Sequence, residues 1–218
     1  NMTRLGLGYD EALKQAQKLG YAEANPATDV DGIDTWHKVI LSANVAFGIS
    51  LDKTTVPVSG IRNISAADVD CFKAHGKVCK LISTAKRTED GFSTYVQPTL
   101  VAAGSPEGAV PLNYNLITFI GQTSERMSFY GQGAGRYPTA YNVVQDLVDV
   151  TQGKSFYAPY GAPQAADNQE AHRYYVRGDW EGSIQEDWST GVITAPVPVS
   201  QMHQWVKDHP DAFIAGVD

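Results

Sequence analysis

The chain has 218 residues, of which 43% are hydrophobic and 19% are charged, a balance typical of one folded domain or of one domain with a small addition. Its 24 acidic and 17 basic residues give a net charge of −7 at pH 7, and no Lys/Arg block indicates a nucleic-acid partner. No apolar run is long enough to span a bilayer, and no signal-peptide pattern opens the chain, so we expect a cytoplasmic protein without a membrane partner.

Helical spacing and capping residues predict four helices before residue 151. They are YDEALKQAQKLG (residues 9–20), a segment from Asp31 as N-cap to Gly48, a segment from Ser65 to Gly76, and PTAYNVVQDLVDV (138–150). Strand-like runs flank Asp90-Gly91, a hairpin signal, and recur as LITFIGQ and ERMSFYG. These elements predict one α+β unit over residues 1–153.

The region after this unit has a different composition. Two prolines, one glycine and many small residues predict a linker over residues 154–170. HRYYVRG, GVITAPVPV and the helix-like VSQMHQWVKDH then predict a small αβ appendage over residues 171–218.

The residue types associated with metal sites and disulfides are sparse. Two cysteines, Cys71 and Cys79, are too few for a disulfide framework or a zinc site, and packed thiols in a reducing compartment are the simpler interpretation. The five histidines do not pair at metal-ligand spacing, so we predict no metal site. A serine hydrolase has no support, because no Gly-x-Ser-x-Gly motif occurs.

The stretch YAEANPATDVDGIDTWHK places four carboxylates, those of Glu23, Asp29, Asp31 and Asp34, before Lys38. Asp34 and Lys38 are four residues apart and therefore share one face of the predicted helix. Charge pairing raises and desolvation lowers the pKa of a lysine, and a balance of the two suits proton transfer. The alternative is a solvated helix face that carries an ordinary ion pair.

The stretch FYGQGAGRYPTA places Gly131, Gly133 and Gly135 between a predicted strand and a predicted helix. Bare backbone amides at a helix amino terminus suit an anion, such as a cofactor phosphate, or the close approach of a flat ring. The spacing differs from the dinucleotide-binding fingerprint. A tight structural turn is the alternative interpretation.

Three segments in the same order resemble homoserine dehydrogenase: ALKQAQKLGYAEANPATDVDGIDTWHKVILSANVAFG, YVQPTLV and MSFYGQGAGRYPTAYNVVQDLV. Together they cover most of residues 9–150. The resemblance implies a mixed β-sheet covered by helices, in the domain that binds substrate and forms the homodimer. It implies NAD(P)-dependent interconversion of L-homoserine and L-aspartate 4-semialdehyde, on the route to threonine, methionine and isoleucine.

The resemblance also assigns roles to five residues. Lys38 matches the family's catalytic lysine, which exchanges the proton of the substrate hydroxyl. Glu23, Asp29 and Asp34 match carboxylates that bind the substrate, with Asp29 near its hydroxyl. Gly135 matches a glycine that contacts the nicotinamide cofactor.

The resemblance covers only part of the family's architecture. We expect a preceding Rossmann domain to hold most of the NAD(P) contacts and most ligands of a possible monovalent cation, so that this part alone has no turnover. The segment 171–218 weakly resembles an incomplete ACT-type regulatory module that binds an effector amino acid. One alternative is a non-catalytic amino-acid-binding or regulatory protein, and another is a dehydrogenase for a related semialdehyde.

Overall fold

The structure is a computed structural model that describes residues 1–89, 91–154 and 161–217. Its helices are α1 (Met2–Leu5), α2 (Tyr9–Lys18), α3 (Ala27–Val30), α4 (Ile33–Phe47), α5 (Ala66–Ala74), α6 (Pro106–Ala109), α7 (Arg136–Thr151) and α8 (Val199–Asp208). Its strands are β1 (Ser50–Leu51), β2 (Lys77–Arg87), β3 (Phe92–Ala102), β4 (Tyr114–Gly121), β5 (Glu125–Gln132), β6 (Pro163–Gln164), β7 (Ala171–Arg177), β8 (Ile184–Trp188), β9 (Gly191–Thr194), β10 (Val197–Pro198) and β11 (Phe213–Val217).

The largest sheet has seven strands, in the order β2-β3-β11-β7-β9-β8, and β10 also pairs with β7. β11 runs parallel to β3 and antiparallel to β7, so the sheet is mixed. β4 and β5 form a separate antiparallel hairpin, and β1 pairs with β6. The predicted α+β fold with a mixed sheet covered by helices is confirmed.

Helices cover both faces of this sheet because neighbouring residues of a strand point to opposite sides. On one face, Phe72 of α5 packs against Tyr175 of β7 in a buried apolar cluster. On the other face, Met202 of α8 packs against Tyr174 and Ile214. A third cluster joins α4 to β2 and β3, and α4 carries Asp34 and Lys38. The sheet therefore supports the helix on which the predicted site lies.

Local sequence signals predicted most of the helices and strands. The four predicted helices are present as α2, α4, α5 and α7, and α4 ends at Gly48 in the left-handed conformation as expected. β2 and β3 pair along their full length as the predicted hairpin, although Asp90 lies outside the described residues. Part of the predicted linker, residues 155–160, also lies outside them.

The segment after residue 170 contributes β7 to β11 and α8. Its last strand pairs with β3, at Gly216 opposite Thr99, so the sheet continues across the predicted linker. Asp68 of α5 lies 3.1 Å from Arg177 of β7 and provides a second connection across the linker. Residues 178–183 join β7 to β8 without a helix.

The two cysteines are free thiols, and burial raises the pKa of Cys79 to about 12. Among the residues that the structure describes, we find no helix with the length and apolar character needed to cross a membrane.

Candidate functional site

Lys38 and Asp34 form an ion pair on one face of α4, as their spacing predicts. Lys38 Nζ lies 2.6 Å from Asp34 Oδ2, and the two side chains are 59% and 44% exposed. Val39 and Ala43 on the other side of the helix are buried against the sheet. The pair is therefore on the solvent side of a helix whose position is fixed by its apolar face.

Asp29 on α3 brings the remaining predicted residues together. Burial raises the pKa of Asp29, the carboxylates of Asp34 and Glu23 raise it further, and the Lys38 ammonium lowers it. Asp29 is therefore close enough to each of the other three side chains to interact with it electrostatically. We call Glu23, Asp29, Asp34 and Lys38 the four-residue cluster. With three carboxylates and one ammonium it is net negative when ionised, and an amine-bearing ligand would complete its charge balance.

The corner between α3 and α4 sets the position of the cluster. Gly32 lies at this corner with φ +80°, a conformation that favours glycine, and its carbonyl accepts the Trp36 backbone N–H at 2.8 Å. A side chain at Gly32 would also press on Val58, 3.0 Å from the Cβ position. Glycine therefore lets the chain turn from Asp29 directly into the helix that carries Asp34.

The prediction that Asp31 caps α4 is wrong. Gly32 is the N-cap residue, and it makes no side-chain capping bond. The Asp31 carboxylate instead accepts two hydrogen bonds from Arg62, from Nε at 2.9 Å and from Nη2 at 2.8 Å. The bidentate contact with Arg62 occupies both carboxylate oxygens of Asp31, and the first turn of α4 has no side-chain cap.

Sequence reasoning missed the residues that hold this acidic loop in place. Gln17 of α2 donates from Nε2 to the Glu23 backbone carbonyl at 2.9 Å. The Ile61 backbone N–H donates to the Val30 carbonyl at 2.8 Å. A side chain at Gly60 would collide with that same carbonyl, so this glycine allows the two backbones to touch. Gln17 and Gly60 have no local motif, and only their three-dimensional contacts reveal them.

Gly135 lies elsewhere, at the start of α7. It has φ +130° and no side-chain cap, and the Asn113 side chain fixes the turn before it by donating to the Ala134 carbonyl at 2.7 Å. The nearest atom to a Cβ built on Gly135 is Pro138 Cδ at 3.6 Å. In the described part of the chain, the neighbours of Gly135 thus come from its own turn and helix and from the residues flanking the hairpin. The structure does not bring it into contact with the four-residue cluster.

The turn at Gly135 nevertheless meets one requirement for binding a flat ligand, which is close access to the backbone. Gly135 presents backbone without a side chain, and its α7 amino terminus carries unsatisfied N–H groups. Within residues 1–89, 91–154 and 161–217, no group of three or more His, Cys, Asp or Glu side chains is arranged to hold a metal ion.

Comparison with known proteins identifies relatives of one kind. The family model described as homoserine dehydrogenase matches residues 1–148. The homoserine dehydrogenase of Bacillus subtilis (strain 168) is 39% identical over 158 residues, which are 69% of this chain and 36% of that protein. The NAD(+)-dependent homoserine dehydrogenase of Pseudomonas canavaninivorans is 35% identical over 148 residues, which are 67% of this chain and 42% of that protein.

Solved structures give the same result for the fold. The crystal structure of a homoserine dehydrogenase from Thiobacillus denitrificans matches with a TM-score of 0.77 and 27% sequence identity. That match covers 100% of this chain and 60% of the other chain. The chain thus spans 36% and 42% of the two curated relatives and 60% of the solved structure.

Proposed function

The chain belongs to the homoserine dehydrogenase family, and on that premise we propose that it is the substrate-binding part of such an enzyme. The reaction is the NAD(P)-dependent interconversion of L-homoserine and L-aspartate 4-semialdehyde, which serves threonine, methionine and isoleucine synthesis. In this proposal residues 1–153 bind substrate and residues 171–218 form an incomplete regulatory module. The module follows a linker at 154–170.

Electrostatics support the choice of substrate. Homoserine carries an ammonium group, and the carboxylates of Glu23 and Asp34 provide acceptors for it beside Lys38. Burial makes the largest contribution to the raised pKa of Asp29, and repulsion by the carboxylates of Asp34 and Glu23 adds to it. A bound ammonium would relieve that repulsion, and an anionic ligand would not. Asp29 is then available to the substrate hydroxyl.

Lys38 is the proposed proton-transfer residue. NAD(P), when bound, supplies the hydride acceptor or donor. In homoserine oxidation the neutral amine of Lys38 takes the hydroxyl proton and becomes the ammonium, as the substrate carbon loses hydride. In the reverse direction the Lys38 ammonium gives this proton to the aldehyde oxygen. Asp34, 2.6 Å from Nζ, orients the amine. The bare turn at Gly135 is the proposed contact of this chain with the nicotinamide ring. The monovalent cation that the resemblance implies remains a prediction.

We also propose that a second copy of the chain covers an apolar surface formed by the β4–β5 hairpin and α7. Its large apolar side chains are between 40% and 79% exposed. They are Ile117, Phe119, Ile120, Met127, Phe129 and Tyr130 on the hairpin, and Tyr137, Tyr141, Val143, Val144, Leu147, Val148 and Val150 on α7.

Exposed apolar faces of this extent, on the hairpin and on α7, indicate a protein interface. Sedimentation of the chain should give the mass of a dimer, and Leu147→Asp should give a monomer. A monomeric wild-type chain at micromolar concentration would contradict the homodimer.

The interaction of Asp29 with Glu23, Asp34 and Lys38 is the observation that carries the proposed activity. Its test uses the full-length protein that contains this chain, with homoserine and NAD(P), and follows the absorbance of NAD(P)H. Lys38→Ala should lower kcat by about 10²–10⁴-fold, the usual contribution of an acid–base group. Lys73→Ala, on the exposed face of α5, is the matched control and should be near normal.

A near-normal kcat for Lys38→Ala would overturn the role of the lysine. Binding of homoserine by the full-length wild-type protein without any turnover would favour the non-catalytic amino-acid-binding protein instead.

A further inference from the structure

Buried His203 on α8 connects two parts of the chain that are far apart in sequence. It is 1% exposed. Nδ1 lies 3.0 Å from Ser59 Oγ, and Nε2 lies 3.1 Å from Gln97 Oε1. Because the amide oxygen of Gln97 can only accept, Nε2 carries the ring proton and Nδ1 accepts from the Ser59 hydroxyl. Burial and the nearby Lys207 lower the pKa of His203 to about 4, in agreement with a neutral ring.

Ser59 belongs to a short extended segment that lies along β3. Its backbone N–H donates to the Val96 carbonyl at 2.9 Å, and the Val96 N–H donates to the Pro57 carbonyl at 3.0 Å. Side chains alternate in extended backbone, so Val58 and Ser59 point to opposite sides. Ser59 points to α8, and Val58 lies against the Gly32 corner of α3 and α4. The segment therefore contacts α8 on one side and the base of the four-residue cluster on the other.

The next two residues, Gly60 and Ile61, contact the backbone of Val30, which directly follows Asp29 of the four-residue cluster. Gly60 lies so close to Val30 that any side chain there would collide with its carbonyl oxygen. Ile61 donates its backbone N–H to that oxygen at 2.8 Å. Val30 directly follows Asp29, whose charge is disfavoured by Asp34 and Glu23. Repulsion between like charges displaces a carboxylate. Contacts from other segments of the chain are therefore needed to fix the backbone that carries it.

We propose that His203 is a positioning residue, which holds Ser59 so that residues 59–61 fix the backbone under Asp29. Its effect on turnover rests on the proposed function, whereas its effect on the backbone does not. His203 contacts neither substrate nor cofactor in this proposal. A neutral imidazole suits the role, because it joins two hydrogen-bonding partners without adding charge near the cluster.

The first test is amide hydrogen exchange in the folded chain. Ser59→Ala and His203→Ala should accelerate exchange of the Ile61 N–H about tenfold relative to the amides of β7, the effect of losing one hydrogen bond. Met202→Ala is the control, since Met202 neighbours His203 and is buried, but packs in the cluster on the sheet. Met202→Ala should leave the exchange rate of the Ile61 N–H, relative to that of the β7 amides, unchanged. His203→Asn keeps an acceptor near the Nδ1 position and should restore most of the protection.

The second test is kinetic and uses the full-length protein. Ser59→Ala and His203→Ala should each lower kcat/KM for homoserine about tenfold, while KM for NAD(P) stays within about twofold. The double variant should be no worse than either single variant, because both substitutions break the same contact. Met202→Ala should lower the unfolding midpoint and leave kcat/KM unchanged.

The outcomes separate this proposal from the proposed function. An inactive wild-type protein would refute the function, and the exchange ratio alone would then decide the positioning role. An active wild-type protein whose Ser59→Ala and His203→Ala variants keep normal kcat/KM would refute the positioning role and leave the function standing. Equal acceleration of Ile61 exchange in Met202→Ala would show that His203 contributes only to general stability, and it would also overturn the proposal. Ser59→Ala removes a single oxygen, so the tests remain decisive even if His203→Ala fails to fold.

Discussion

Arg62 binds both carboxylate oxygens of Asp31, at 2.9 and 2.8 Å, and so removes this acid from the group that faces Lys38. Asp31 and Asp34 are only three residues apart in sequence, yet one is paired with a guanidinium and the other with the Lys38 ammonium. Two acids of the same short stretch therefore have different partners, and we predict that Asp31 supports the loop whereas Asp34 orients Lys38.

This difference predicts unequal effects for two isosteric substitutions. Asp34→Asn should lower kcat/KM for homoserine at least about tenfold in the full-length protein, because it removes the partner that orients Lys38. Asp31→Asn should keep kcat/KM within about threefold and should lower the urea midpoint only slightly, since the Arg62–Asp31 pair is exposed to solvent. Steady-state kinetics and urea unfolding of both variants check the prediction. A larger kinetic loss for Asp31→Asn would place Asp31 in the site.

The raised pKa of Asp29 predicts a pH-dependent stability. Its pKa in the folded chain lies above the value of about 3.9 in the unfolded chain, so the native state binds more protons between the two values. Stability is therefore lost as the pH rises through this interval, and ionised Asp29 is unfavourable at pH 7. Asp29→Asn should raise the urea midpoint slightly at pH 7, the gain being small because Asp29 is only partly desolvated and solvent screens the charges around it.

Asp29→Asn should not raise the urea midpoint below the unfolded-state pKa of Asp29. There the carboxyl is protonated in both the folded and the unfolded wild type. Urea unfolding of the wild type and of Asp29→Asn at pH 7 and at about pH 3, below the unfolded-state value, measures this. A lower midpoint for Asp29→Asn at pH 7 would mean that the carboxylate is stabilised by the site rather than strained in it.

Gly135 provides a separate test of the cofactor contact. A Cβ would have room there, with Pro138 Cδ at 3.6 Å, but φ +130° strains any other residue by about 1–3 kcal/mol. Gly135→Ala should therefore distort the turn and raise KM for NAD(P) more than KM for homoserine. Gly131→Ala is the control, because a Cβ at Gly131 meets nothing within 4 Å. Equal changes in both KM values would argue against a cofactor contact.

The buried acid Asp68 should matter for stability rather than for turnover. It is fully buried, and it accepts hydrogen bonds from Tyr175 Oη at 2.7 Å, from Arg177 Nε at 3.1 Å and from the Ser65 backbone N–H at 2.8 Å. Asp68→Ala leaves these donors without their acceptor and should cost about 3–5 kcal/mol of unfolding free energy. Asp70→Ala, exposed on the same helix, should change it by less than about 0.5 kcal/mol. Urea unfolding distinguishes the two.

The sequence predicted the features that depend on near neighbours. Capping residues and periodicity indicated α2, α4, α5 and α7, and the four-residue spacing of Asp34 and Lys38 placed them on one helix face. Glu23 and Asp29 were assigned only through the family resemblance, because nothing local shows that an acidic loop folds back toward a helix. Whether these residues act as proposed stays a prediction.

Contacts between distant segments could not be predicted. Arg62 has no motif that marks it as the partner of Asp31, and no local pattern marks His203 on α8 as a buried neighbour of Ser59. The pairing of Gly216 with Thr99 likewise depends on the packing of the whole sheet, which no short window of sequence contains.

The position of β11 has a consequence for synthesis on the ribosome. This strand lies between β3 and β7 although it follows both in the chain. A nascent polypeptide can form the β2–β3 hairpin and can pair β7 with β9 early. It cannot join these two parts until residues 213–217 have left the exit tunnel. Until then the unpaired edges of β3 and β7 are open to other chains, and a chaperone that covers these edges would protect the incomplete sheet.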